Sequence, residues 1–339
     1  MLARHAEDMF WAGRYLERAE DTARMVRATL LSTVAESPAQ ALHRMHDLTR
    51  TLRLEAPAPA EGAQTIAESL TSSPPMLRSQ AGLDIDVQAA ATRLVCSSAV
   101  AGSVVFCIGR ARENFRSLRD QIPSELWEEI NRFHLQLGHA DFPGAMEQDP
   151  FRTLDSIRVS CQTLNGVLST SMARGEAYRF LALGQNLERS LMTCRLIQAR
   201  YPEMDGSSYD EMALTLRSVS ALEAYQRTMH SSPLASDVAR FLLLSDAFPR
   251  SVLFCLRLSE SHVGSMAANG QPPPLRRLGQ LRSGLEFADF DEMATDLPTH
   301  LRALETGVRE AADLVGDHFF RNAEAFTLHS QAVKPGAPS

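Results

Sequence analysis

Gly13-Arg-Tyr-Leu-Glu-Arg-Ala-Glu-Asp-Thr-Ala-Arg-Met25 lies without a gap over Gly184-Gln-Asn-Leu-Glu-Arg-Ser-Leu-Met-Thr-Cys-Arg-Leu196, matching Gly13 with Gly184, Leu16 with Leu187, Glu17 with Glu188, Arg18 with Arg189, Thr22 with Thr193 and Arg24 with Arg195. A period this long excludes a solenoid and predicts two equivalent helices related by a pseudo-twofold. In the second copy the only charged residues between Phe180 and Ile197 are Glu188, Arg189 and Arg195, and apolar side chains occupy nearly every azimuth. A helix apolar all round is a buried helix. Its charges must be paired, because stripping one partner from a buried ion pair costs about 3–5 kcal/mol. Glu188 and Arg195, like Glu17 and Arg24, return to one face but stand two turns apart, so each is expected to reach a neighbouring helix. The expected arrangement is two adjacent antiparallel repeat helices in which each glutamate accepts a two-pronged arginine contact.

Two uses of such charges stand side by side. A structural ion-pair lattice would set helix register; a polar pocket would bind a carboxylate- or phosphate-bearing ligand. The lattice is the favoured reading, since structural networks also perturb ionisation.

Working outward, strand patterns are scarce and helix fits almost everywhere. Helices are expected near Ala3–Thr33, Ala39–Leu54, Asp86–Gln121, Ser124–Leu137, Phe151–Met172, Glu176–Tyr201, Tyr209–His230, Ser236–Leu244, Pro249–Met266 and Pro298–Phe326. Pro and Gly mark loops at Glu55–Gly62, Ser72–Pro75, Asp141–Gly144 and Asn269–Pro274. The expectation is an all-α fold, a single elongated helical bundle over residues 1–330 with two related halves of about 1–140 and 141–330, and a disordered tail over 331–339.

The chain has 339 residues, 44% of them hydrophobic, and a formal net charge of -7. Such an acidic balance argues against nucleic acid or an anionic membrane as the general partner. Five scattered cysteines without a C-x-x-C pair read as reduced, buried thiols of a cytoplasmic protein. Early acids and a missing apolar core argue against a signal peptide at the start of the sequence. The most apolar stretch, Leu94 to Ile108, is too short to span a bilayer and reads as a core helix.

Arg112, Arg116 and Arg119 fall at i, i+4 and i+7 as a cationic stripe, with Asp120 one turn from Arg116. The stripe could grip carboxylates or phosphates, although a charged helix face is more often solvated or salt-bridged. Phe10, Trp11 and Tyr15 place aromatic rings beside Arg14 and Arg18, where cation–π contact can help to hold the guanidiniums. The sequence has no G-x-S-x-G, P-loop, H-E-x-x-H or G-x-G-x-x-G. Residues such as His5, His134 and His230 lack metal-ligand spacing, so no metal or organic cofactor is expected.

Arg4-His-Ala-Glu-Asp-Met-Phe-Trp-Ala-Gly-Arg-Tyr-Leu-Glu-Arg-Ala-Glu20, Arg112–Ile122, Tyr178–Arg189, Leu216–Tyr225 and Phe241–Ser251 together resemble the Alpha-E family of bacterial helical proteins, up to about Met266. The resemblance implies a circularly permuted ATP-grasp protein as partner, often with a transglutaminase-like protease, and so a part in amide- or peptide-bond formation. The leading expectation is therefore a non-catalytic helical partner that binds an acidic peptide-like or acyl-phosphate substrate through Arg14, Glu17, Arg18, Arg24, Arg112, Arg116, Arg119, Glu188, Arg189 and Arg195. The alternatives are an enzyme using Glu17 or Glu188 as general base, and a purely structural scaffold. Self-association stays open.

Overall fold

The structure, a computed structural model, describes residues 1–34, 36–52, 80–204, 209–229, 233–267 and 270–321. Its helices are α1 (Ala3–Thr33), α2 (Pro38–Leu52), α3 (Gln80–Cys96), α4 (Val104–Arg116), α5 (Ser124–Leu137), α6 (Phe142–Gln148), α7 (Pro150–Ser171), α8 (Glu176–Met204), α9 (Tyr209–Ser218), α10 (Leu222–Met229), α11 (Ala235–Leu244), α12 (Val252–Met266), α13 (Pro273–Glu286), α14 (Phe290–Ala294) and α15 (Leu297–Val315), followed by a π-helical turn at Gly316–Arg321. No strand occurs among the described residues. No helix there is long and apolar enough to cross a membrane.

The long helices α1 and α8 form the centre and pack more extensively on each other than any other pair. Around them the chain repeats itself. Helix α1 packs on α4 and α7 as α8 packs on α12 and α15; α4 packs on α5, and α5 on α7, as α12 packs on α13, and α13 on α15. The local signals that start the helices recur as well. Ser103 and Ser251 cap α4 and α12, accepting from the amides of Phe106 (3.1 Å) and Phe254 (3.2 Å), while their hydroxyls donate to the carbonyls of Ser97 and Ser245. They open Ser103-Val-Val-Phe-Cys-Ile108 and Ser251-Val-Leu-Phe-Cys-Leu256, a second copied motif. Asp149 and Asp296 cap α7 and α15, each followed by a proline in the first turn. The junction between the repeats thus lies between α7 and α8, later than residue 140.

The central pair is parallel, which corrects the antiparallel expectation. A Cβ built on Gly13 would fall onto the carbonyl oxygen of Leu181 and lie 3.2 Å from the amide nitrogen of Gln185; one built on Gly184 would fall onto the carbonyl oxygen of Phe10 and lie 3.2 Å from the amide nitrogen of Arg14. Farther along, Arg18 meets Glu188 and Arg189 meets Glu17. Contact advances in the same direction along both helices, so the pseudo-twofold axis runs alongside them through the glycine crossing. Glycine is required at both places because the two backbones touch.

Other departures have local causes. The helix expected over Asp86–Gln121, core stretch included, breaks at 97–103, where Gly102 takes a φ of 99° and Ser103 starts α4 anew; α4 then stops at Arg116. The helix expected over Tyr209–His230 breaks at Ser220, whose φ of 51° is left-handed. Helix α6 starts at Phe142 within the expected Asp141–Gly144 loop, and α13 starts at Pro273 within the expected Asn269–Pro274 loop. The expected loops Glu55–Gly62 and Ser72–Pro75, the tail over 331–339, the end of the Pro298–Phe326 helix, Asn269 and His230 lie outside the described residues.

The crossing makes a direct prediction. Gly184→Ala must force the two backbones apart and should cost about 3 kcal/mol. Gly166→Ala, where a Cβ meets nothing within 4 Å on α7, should instead stabilise by about 0.5–1 kcal/mol. Urea unfolding of both variants checks the contrast.

Candidate functional site

Beside the glycine crossing, the Glu-Arg steps of α1 and α8 exchange partners. Arg189 grips Glu17 with both prongs, Nε donating to Oε1 at 2.7 Å and Nη2 to Oε2 at 2.6 Å. Glu188 divides its oxygens between two guanidiniums, accepting from Arg18 Nε at 2.6 Å and Arg14 Nε at 2.8 Å. The expected two-pronged contact is therefore present at Glu17 and replaced at Glu188 by a shared carboxylate. Both glutamates are 0% exposed. Burial alone would raise their pKa, but the arginines outweigh it and hold each at about 2. Thr22 and Thr193 complete the symmetry, their hydroxyls donating to the carbonyls of Gly102 and Arg250, both at 3.0 Å.

Symmetry then fails in the side chains. Where the first repeat has Gly102 the second has Arg250, whose Nη1 donates to Glu17 Oε1 at 2.8 Å and Asp21 Oδ1 at 2.5 Å, and whose Nη2 donates to Glu20 Oε1 at 3.1 Å. Arg24 also reaches Glu20, and donates to the Ser220 hydroxyl. Asn165 donates to Glu20 Oε2 at 3.0 Å. The Glu17 centre thus sets Arg189, Arg250 and Arg24 against Glu17, Glu20 and Asp21. Burial, with Glu17 adding to it, pushes Asp21 up to about 7 against the pull of Arg250, and its Oδ2 is buried without a hydrogen-bond partner.

The Glu188 centre has no such balance. Leu191 and Met192 stand in α8 where α1 has Glu20 and Asp21, and Arg14 stands where α8 has Gln185. Two guanidiniums face one carboxylate, each using only Nε; their Nη groups make no hydrogen bond among the described residues. The side chains of Arg14 and Arg18 keep 12% and 23% exposure. Arg14 lies 5.0 Å over the Trp11 ring. This arrangement can hold an anion; carboxylates pinned near a pKa of 2 are poor bases.

Arg195, the counterpart of Arg24, turns to Glu305 (2.9 Å), which Arg309 also contacts at 2.8 Å. The stripe of Arg112, Arg116 and Arg119 spends its charge on protein partners: Arg112 and Arg116 share Glu113, and Arg112 and Arg119 share the Trp127 ring. Arg112 donates to Asn131 at 2.8 Å, Arg116 pairs with Glu113 at 3.0 Å rather than with Asp120, and Arg119, beyond the end of α4, stacks 4.9 Å from the Trp127 ring. None of these partners belongs to the Glu-Arg cluster. Sequence reasoning missed Arg250, Glu20, Asp21 and Glu305. The acid pair was legible as the one place where polar residues in the first copy replace apolar ones in the second; Arg250 was legible only once the Ser-Val-x-Phe-Cys copies were aligned.

Glu188→Gln should cost about 3–5 kcal/mol, because it leaves two guanidiniums without their shared anion. The acids differ in their pH signatures. Glu17 and Glu188, depressed in the folded state, contribute stability above the ordinary glutamate value of 4.5 that is lost as pH falls toward about 2. Asp21, raised from 3.8 to about 7, acts oppositely: the folded chain holds a proton that the unfolded chain has lost, so stability falls as pH rises from about 4 to about 7. Asp21→Asn should flatten that slope in denaturant midpoints measured across the window.

A family model for Alpha-E, described as a predicted alpha-helical domain with a conserved ER motif, matches residues 1–320. The family pattern therefore continues past Met266, through α13 and α15. Uncharacterized proteins of Mycobacterium bovis and Mycobacterium tuberculosis are each 22% identical over 334 residues, covering 91% of this chain and 36% of their own length. The chain thus spans about a third of these relatives. No solved structure matches. With both Glu-Arg steps at the heart of the fold and the match running through nearly every described helix, the chain belongs to the Alpha-E family.

Proposed function

We propose that the protein is a non-catalytic helical partner of an ATP-grasp amide or peptide ligase, and that it receives the acidic group of a peptide-like or acyl-phosphate substrate at Arg14 and Arg18. The observation that carries this reading is the surplus guanidinium at Glu188: two partly exposed arginines offer Nη donors that nothing among the described residues uses. Paired N–H donors of this kind match the oxygens of a carboxylate or phosphate. Glu188 orients them from beneath, and Trp11 supports Arg14 from the side. The ligase partnership rests on the resemblance to Alpha-E proteins, as does a transglutaminase-like protease as further partner. The mycobacterial relatives, in which the matching region is one part of a longer chain, suit a module that works beside other units.

The general-base alternative fares worse on the same geometry. Glu17 and Glu188 have both oxygens committed to arginine N–H groups and little proton affinity.

Arg14→Gln copies the residue that the other centre carries at this position, Gln185, and keeps the Arg18–Glu188 pair. With ligase, ATP and a carboxylate substrate, well below the unfolding temperature of either form, the variant should lose roughly ten- to a hundredfold in product formation, the value of one charge-assisted contact, while giving up about 1.5–3 kcal/mol of stability with its contact to Glu188. Undiminished product formation would remove Arg14 from substrate recognition. Turnover of an acyl or amide substrate by the chain alone would overturn the partner reading.

A further inference from the structure

The repeats also diverge on the outer face of the second one. In the first repeat α5, α6 and α7 close over Phe133, Met146 and Ile157, all buried. The register of the copies is set by positions buried in both: Ile130 with Leu278, Leu137 with Leu285, Phe142 with Phe290 and Leu154 with Leu301. It places Leu281 at the position of Phe133 and Leu304 at that of Ile157, both partly exposed, while Met293 keeps the place of Met146, buried in both copies and three residues before the capping aspartates Asp149 and Asp296. Helix α14 has five residues where α6 has seven. A lost ring and a shortened helix leave a cavity of about 480 Å³, walled by Leu243, Leu281, Leu285, Met293, Leu297 and Leu301. That volume is in the range of small-ligand sites.

Its rim carries both signs of charge. Arg277 and His300 line it, and so do Asp289 and Glu292. Asp289 Oδ1 is committed to the first amides of α14, at 2.9 Å and 3.3 Å, whereas the Glu292 carboxylate makes no ion pair among the described residues. Arg277 Nη2 pairs with Glu310 at 2.7 Å, yet its Nε is buried without a hydrogen-bond partner. Gly307 on α15, where α7 has Ser160, admits both side chains of this wall: a Cβ there would lie 2.6 Å from Leu281 Cδ2 and 2.8 Å from Arg277 Nη2.

We propose that this cavity binds a free amino acid or short peptide with an apolar side chain. The side chain takes the space that the Phe133 ring fills in the first repeat, the carboxylate meets Arg277, and the ammonium meets Glu292. The site is separate from Arg14 and Arg18, so either assignment can fail without the other.

Saturation-transfer NMR on the full chain with millimolar L-leucyl-L-phenylalanine tests it. Transfer to the ring and methyl protons is expected, weakened at least about tenfold when the dipeptide is N-acetylated or C-amidated. Leu281→Phe, which restores the packing of the first repeat, should abolish transfer while the thermal midpoint holds or rises, and Arg277→Met should weaken binding at least about tenfold with the fold intact. No transfer from the wild-type chain, or transfer that survives Leu281→Phe, overturns the site; equal binding of the capped dipeptides overturns the zwitterionic ligand.

Discussion

Two backbones touching at Gly13 and Gly184 bring the carboxylate of each central helix within reach of the arginines of the other. Everything else in the core follows from that approach. A guanidinium reaching across from the neighbouring helix meets a glutamate only if the helix axes come close, and only glycine permits it here. Once the carboxylates are sealed from water, the ion pairs become obligatory, since leaving either partner alone would cost more than most single substitutions. The neighbouring helices then serve as walls: the turns that lead into α4 and α12 deliver the carbonyls of Gly102 and Arg250 to the threonines, and α7 and α15 pack against α1 and α8.

Duplication explains the plan, and divergence explains what is interesting in it. At the Glu17 centre, Arg250 ties Glu17, Glu20 and Asp21 together within the chain. At the Glu188 centre, the loss of the acids and the gain of Arg14 leave cationic donors facing outward. The Glu17 centre is thus paired within the chain, whereas the Glu188 centre keeps guanidinium donors that the described residues leave unused. The same comparison exposes the cavity of the second repeat as a place where the first keeps its own side chains.

Much of this was legible in the sequence. The all-α class, α1 to the residue, the buried second copy and the need for paired charges all follow from periodicity and the cost of burying ions. Helix direction was not legible, because a pseudo-twofold allows either sense until its axis is known, and the glycines that reveal the axis look like ordinary repeat matches. The breaks at Gly102 and Ser220 escaped because apolar periodicity continues across them, while the backbone turns at a single left-handed residue. Arg250 and Glu305 escaped because their partners lie on distant segments, and no local spacing marks a contact made across more than a hundred residues.

The central claim, that α1 and α8 are held by a direct exchange of Glu-Arg pairs, is tested most directly by a double-mutant cycle on Glu17 and Arg189. Unfolding free energies of Glu17→Gln, Arg189→Gln and the double variant should give a coupling of about 2 kcal/mol or more, the range for residues that share one buried network. A coupling near zero, with the two single losses simply adding, would mean that the pair does not hold the repeats together.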